Sequence, residues 1–184
     1  MYGLVNKAVQ DLIVTQFGQD KWEAVKEKAG IDIDTFLSMK SYPDDITYSL
    51  VGAAAEVLDL TPARVLEAFG EHWTLYTAKE GYGELLEMSG SSFVEFLQNL
   101  DNLHVRVALS FPELEPPSFR CSDVTENSVR LHYESHREGL APMVVGLLKG
   151  LGKRFDTTVD ISLEASKDQG HTHDEFLIRF EKRT

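Results

Sequence analysis

Cysteine is nearly absent: the 184 residues contain one, Cys121. A single thiol rules out an internal disulfide framework and any zinc site made from cysteines of one chain. A block of Lys and Arg is also missing, and the net charge is −12. Neither nucleic acid nor an anionic membrane surface is therefore expected as a partner. No uninterrupted hydrophobic run reaches membrane length. The opening residues 1–14 lack a basic n-region and are broken by Lys7 and Asp11, so they do not read as a signal peptide. A cytoplasmic location is expected. Proline is sparse, with six residues, yet Pro112, Pro116 and Pro117 fall within one stretch of seven.

The hydrophobic fraction of 42% with 26% charged residues is that of an ordinary globular domain. Apolar spacing predicts helices through the first two-thirds. Val5, Val9, Leu12 and Ile13 stripe an opening helix that stops near Gly18, and Trp22 and Val25 stripe a second that stops at Gly30. Asp44 or Asp45 starts a third. Thr61-Pro62 reads as an N-cap followed by proline at the first helical position, opening a helix that carries Val65, Leu66, Phe69, Trp73 and Tyr76. A further helix spans 91–110. The proline-rich residues 111–117 then impose an extended connection. Beyond it, strands are predicted at 118–123, 128–135, 157–163 and 175–180, with a helix at 142–154 whose three glycines permit close approach. The expected architecture is α+β: an N-terminal helical lobe, about residues 1–60, then a lobe of helices and a four-stranded antiparallel sheet, about 61–184.

Two stretches suggest chemistry. In 91–110, Phe93, Phe96, Leu97, Leu100, Leu103 and Val107 form one apolar stripe, and His104 falls on it. An unpaired buried polar group costs roughly 1–3 kcal/mol, so this imidazole is either a hydrogen-bonded core residue or a metal ligand. Spacing alone allows both. In Tyr133-Glu134-Ser135-His136-Arg137, strand alternation would place Tyr133, Ser135 and Arg137 on one face, offering three donors suited to a carboxylate or phosphate. Haem combines an iron that takes an imidazole, an apolar macrocycle and two propionates, and the chain supplies a match for each.

The segments FLQNLDNLH, FPELEPPSFRC, LHYESHREGL and HDEFLIRF, in that order, resemble the H-NOX (haem nitric oxide/oxygen-binding) family. That family includes the haem-binding region of the soluble guanylate cyclase β subunit. The resemblance runs from Met1 to about Phe180 and implies a single domain enclosing haem b, iron protoporphyrin IX, between the two lobes. It assigns His104 as the iron ligand and Tyr133, Ser135 and Arg137 as the propionate grip. Pro117 is implied to press on the macrocycle, and Met1 and Tyr2 to pack near it. Val5, Val9, Trp73 and Leu147 match distal-wall positions.

At Met143, oxygen-binding relatives have a tyrosine whose hydroxyl stabilises bound oxygen. Methionine offers no comparable donor. The resemblance therefore implies a sensor that takes nitric oxide and carbon monoxide and excludes oxygen, signalling when the iron–His104 bond breaks. It implies no catalysis; the partner would be a separate histidine kinase or cyclic-di-nucleotide enzyme. An oxygen-binding sensor and a haem enzyme of peroxidase type are the alternatives. The second wants a distal acid–base pair that Val5, Trp73 and Met143 do not provide. Asp44 and Asp45 match an acidic position near the propionate arginine, or they cap a helix. Cys121 reads as a small buried residue. His171 and His173, in a polar turn, read as solvated, and His72, His132 and His136 suggest no site.

Overall fold

The computed structural model of the chain describes residues 1–182, with Ala78 and Lys79 described by their backbone alone; positions 183 and 184 of the expected domain lie outside them. Helices α1 (Gly3–Phe17), α2 (Gln19–Ala29) and α3 (Asp44–Val57) pack through Ala8, Val9, Leu12, Trp22, Val25, Leu50 and Ala54. Small residues in α3 let these short helices lie close. Helix α4 (Pro62–Thr77) opens as expected, with Thr61 Oγ1 accepting a hydrogen bond from the Arg64 N–H at 3.3 Å. A wide-pitched turn, Ala78–Tyr82, joins it to α5 (Gly83–Glu87).

The expected single helix over 91–110 is two: α6 (Phe93–Gln98) and α7 (Leu100–Ala108). The break falls at Asn99, with φ −100° and ψ 4°. Asparagine's short polar side chain competes with the helical ladder, and here its Oδ1 accepts from Asn102 Nδ2 at 3.3 Å. The break divides the apolar stripe. Phe93, Phe96 and Leu97 go to the core under the sheet, while His104 and Val107 reach the cavity described below.

Strands β1 (Ser118–Ser122), β2 (Ser128–Glu134), β3 (Thr157–Ala165) and β4 (Asp174–Lys182) form one antiparallel sheet in the order β1-β2-β4-β3. Val129, Leu131, Phe176 and Ile178 cover its inner face and are fully buried. Helix α8 (Ala141–Arg154) packs on that face and against α4. The α4–α8 contact needs glycine on both sides: a Cβ at Gly70 would collide with the Met143 carbonyl, and one at Gly146 with the Glu67 carbonyl. This is the close approach that the glycine spacing predicts, and it fixes α8, with Met143 and Leu147, beside Trp73 of α4. Among the described residues, no helix is long and apolar enough to cross a membrane.

Candidate functional site

Between the helical core and the sheet core lies a cavity of about 810 Å³, in the upper part of the range for small-molecule and cofactor sites. Every residue assigned to the haem site from sequence lines it except Val9. Met1, Tyr2 and Val5 come from the N-terminal segment, Trp73 from α4, His104 from α7, and Met143 and Leu147 from α8. Pro117 comes from the connection before β1, and Tyr133, Ser135 and Arg137 from the end of β2 and the turn after it. Val9 does not line it; it is 1% exposed, inside the helical core.

His104 is half-buried, and its Nδ1, sealed from solvent, has no hydrogen-bond partner among the described residues. Burial pushes its pKa below the ordinary imidazole value, with Asp101 and the Pro117 carbonyl pulling the other way. The ring is therefore kept neutral, the form that ligates a metal. Nδ1 is shut off from solvent on the side of the Pro117 carbonyl, so Nε2 is the nitrogen left for a metal in the apolar cavity that the ring lines. The Phe119 ring lies 5.8 Å from that of His104 and 5.2 Å from that of Tyr133, so one aromatic row joins the imidazole to the polar rim.

The rim is built differently from the expectation. Strand β2 ends at Glu134, so alternation does not carry Ser135 and Arg137 to the cavity. A serine turn does, with Ser135 Oγ accepting from the Arg137 N–H at 3.1 Å. The Arg137 guanidinium is then held from two sides. Its Nε donates to Asp44 Oδ2 at 2.7 Å and its Nη1 to the Glu115 carbonyl at 2.9 Å. Burial works to raise the Asp44 pKa, but Arg137 and the Met1 amino group outweigh it and hold the carboxyl below its usual range. Asp44 is the first residue of α3 but does not cap it, since the N-cap is Pro43 and no side chain bonds there, so of the two expected roles it serves the pairing with Arg137; Asp45 is exposed. Burial pushes the Tyr133 hydroxyl up, keeping it a neutral donor.

Three features escaped the sequence reading. Asp101 accepts from the Phe119 N–H at 2.7 Å and from Ser118 Oγ at 2.9 Å, tying α7 to β1; the available signal was an acidic residue one turn before His104. Tyr82 lines the cavity against Phe111, ring centroids 6.2 Å apart, and nothing in its sequence context marked it. His173, expected to be solvated, is half-buried and bonded to His132 at 3.0 Å. Trp73 packs on Phe69 and Tyr76, at 5.9 and 6.4 Å. Cys121 is half-buried, its thiol pushed up to about 11 by burial and by Asp101.

The matched family model is Haem-NO-binding, over residues 2–163. Soluble guanylate cyclase gcy-32 of Caenorhabditis elegans is 33% identical over 167 residues, covering 89% of this chain and 24% of the cyclase. Soluble guanylate cyclase gcy-31 of the same organism is 30% identical over 164 residues, covering 89% and 23%. The chain thus spans about a quarter of the length of these relatives. Among solved structures, an H-NOX protein from S. oneidensis in the Fe(II)NO ligation state superposes with a TM-score of 0.90 at 24% identity, covering 99% of this chain and all of that one. Unliganded Fe(II) H-NOX from K. algicida gives 0.85 at 22%, covering 100% and 98%. The chain belongs to the haem-NO-binding, or H-NOX, family: haem-binding gas-sensor domains related to those of soluble guanylate cyclases, and not enzymes.

Proposed function

We propose that this domain senses nitric oxide with haem b, excludes oxygen, and signals to a separate enzyme. The observation that carries the proposal is the His104 imidazole, kept neutral by burial, at the wall of an apolar cavity whose rim presents Tyr133, Ser135 and Arg137. Haem, when bound, would supply a ferrous iron able to take a diatomic gas. His104 is the residue to hold that iron. Arg137, kept in place by Asp44, and the Tyr133 and Ser135 hydroxyls suit the propionates. Pro117 provides a rigid contact on the same wall.

Gas selectivity follows from the donors on offer. Met143 provides none, the Thr77 hydroxyl is spent on the Trp73 carbonyl at 2.8 Å, and Trp73, the distal-wall side chain with an N–H, is held as a packing residue by Phe69 and Tyr76. Oxygen, whose complex is the more polar, loses most in such a pocket. Release of His104 from bound iron would free α7 to shift, and that shift would be the start of the domain's output. Val105 lies on that helix and Leu109 at its C-cap, 67% and 85% exposed, so its movement alters an apolar surface that a partner can read. The partner fits a cytoplasmic histidine kinase or cyclic-di-nucleotide enzyme, with residues 1–184 acting as one sensing domain.

Tyr82 favours the alternative, an oxygen-binding sensor, because its hydroxyl makes no hydrogen bond among the described residues and its ring lines the cavity. The absorption spectrum of reduced protein separates the two. Under air it stays that of the unligated ferrous form and changes only with nitric oxide or carbon monoxide. A stable oxy spectrum under air contradicts the proposal.

A further inference from the structure

On the outer face of the sheet, away from the cavity, His132, His173 and Glu175 converge. His132 of β2 pairs with Glu175 of β4 across the ladder, and His173 comes from the turn leading into β4. His132 Nδ1 lies 3.0 Å from His173 Nε2 and 3.4 Å from Glu175 Oε2, and all three ligand atoms fall within 4.8 Å of one another. Metal–ligand bonds of about 2.0–2.1 Å at tetrahedral angles put neighbouring ligand atoms about 3.3 Å apart.

The far side of each group is tied. His132 Nε2 is bonded to Ser122 Oγ at 2.8 Å and His173 Nδ1 to Thr172 Oγ1 at 2.9 Å. Glu175 Oε1 accepts from Arg130 Nη1. Outer partners of this kind fix the orientation of metal-binding imidazoles and carboxylates. Two cations face the group, Arg120 from β1 and Arg130 from β2. Three carboxylates oppose them, since Arg130 also pairs with Asp123 at 2.9 Å and Glu164 at 3.6 Å. Asp123 and Glu164 thus offset the two arginines, and the Glu175 carboxylate leaves the group as a whole net negative.

We propose that His132 Nδ1, His173 Nε2 and Glu175 Oε2 form a second, non-haem metal site for a divalent ion of the zinc class, with water in the fourth position. Two imidazoles and one carboxylate suit zinc better than calcium or magnesium, which take mainly oxygen. The ion would cross-link β2 to β4 directly behind the strand that carries Tyr133. The site shares no residue with the cavity, so it stands or falls independently of the haem.

The test is equilibrium dialysis of chelator-stripped, haem-loaded protein against micromolar zinc, with metal counted by mass spectrometry. One zinc per chain beyond the haem iron is expected. His173→Ala and Glu175→Gln should each weaken zinc binding at least about 10-fold, leave the haem absorption unchanged, and behave unlike His171→Ala, a change at an exposed neighbour that retains zinc. Protein that takes up no zinc, or zinc that survives both substitutions or follows His171→Ala, overturns the site and leaves His132 and His173 as a hydrogen-bonded pair.

Discussion

Asp101 Oδ1 accepts a hydrogen bond from the Phe119 backbone N–H at 2.7 Å, one helical turn before His104. Its second oxygen accepts from Ser118 Oγ. The helix that bears the imidazole is thus fastened to the first strand by one carboxylate, and any signal that leaves through α7 has to load that fastening. Asp101→Ala should lower the unfolding free energy by about 1–2 kcal/mol, the cost of leaving a part-buried N–H unpaired. It should also speed amide exchange along α7, read by hydrogen–deuterium exchange. Unchanged exchange in α7 would show that the tie does not restrain it.

Arg137 stands between two acceptors, Asp44 and the Glu115 carbonyl. Arg137→Ala removes a charge-assisted partner for a carboxylate, and haem transfer to an acceptor protein should become roughly 10-fold faster or more. Asp44→Asn should act in the same direction but less, because it only frees the guanidinium. The pH dependence follows from Asp44. A carboxyl held below its usual range contributes stability above the unfolded-state value of about 3.9 and loses it as pH falls through the lower folded value. Haem retention that depends on this pair should therefore be flat from pH 5 to 8 and collapse only below about pH 4. A decline centred near pH 6 would point to a histidine instead.

The sequence made the outline of the fold legible. The stripe through Val5, Val9 and Leu12, the proline after Thr61 and the proline-rich break at 111–117 each carry a local physical signal that tertiary contacts do not override. The two departures share a cause. At Ser135 the hydroxyl bonds to the backbone two residues on and turns the chain, and at Asn99 the break falls on a residue of low helix preference, in both cases against apolar or strand periodicity on either side. The cavity residues could be named in advance, but Asp101, Tyr82 and the His132–His173 contact depend on which distant segments meet. Spacing along one chain does not encode that.

Met143 lines the cavity without a hydrogen-bond donor, its carbonyl packed over Gly70. Met143→Tyr should raise oxygen affinity about 3- to 10-fold, the worth of one net hydrogen bond, and produce a detectable oxy spectrum under pure oxygen. Tyr82→Phe should leave nitric oxide binding unchanged. If instead the unsubstituted protein binds oxygen and Tyr82→Phe abolishes it, Tyr82 is the distal donor.

Cys121 sits in β1, its thiol pushed up to about 11 first by burial and then by the Asp101 carboxylate. At pH 8 almost none of it is thiolate, so alkylation of folded protein should be on the order of 100-fold slower than of unfolded protein. The rate should keep rising with pH up to about 11. Rapid modification at pH 8 would mark the thiol as reactive and reopen a redox role.

The most direct test of the iron's attachment is the ferrous absorption spectrum of His104→Gly, recorded with and without added imidazole. The cavity wall then lacks its imidazole, so the variant should purify without haem and recover a five-coordinate ferrous spectrum when imidazole is supplied. A five-coordinate spectrum matching the unsubstituted protein in the absence of imidazole would contradict the assignment of His104.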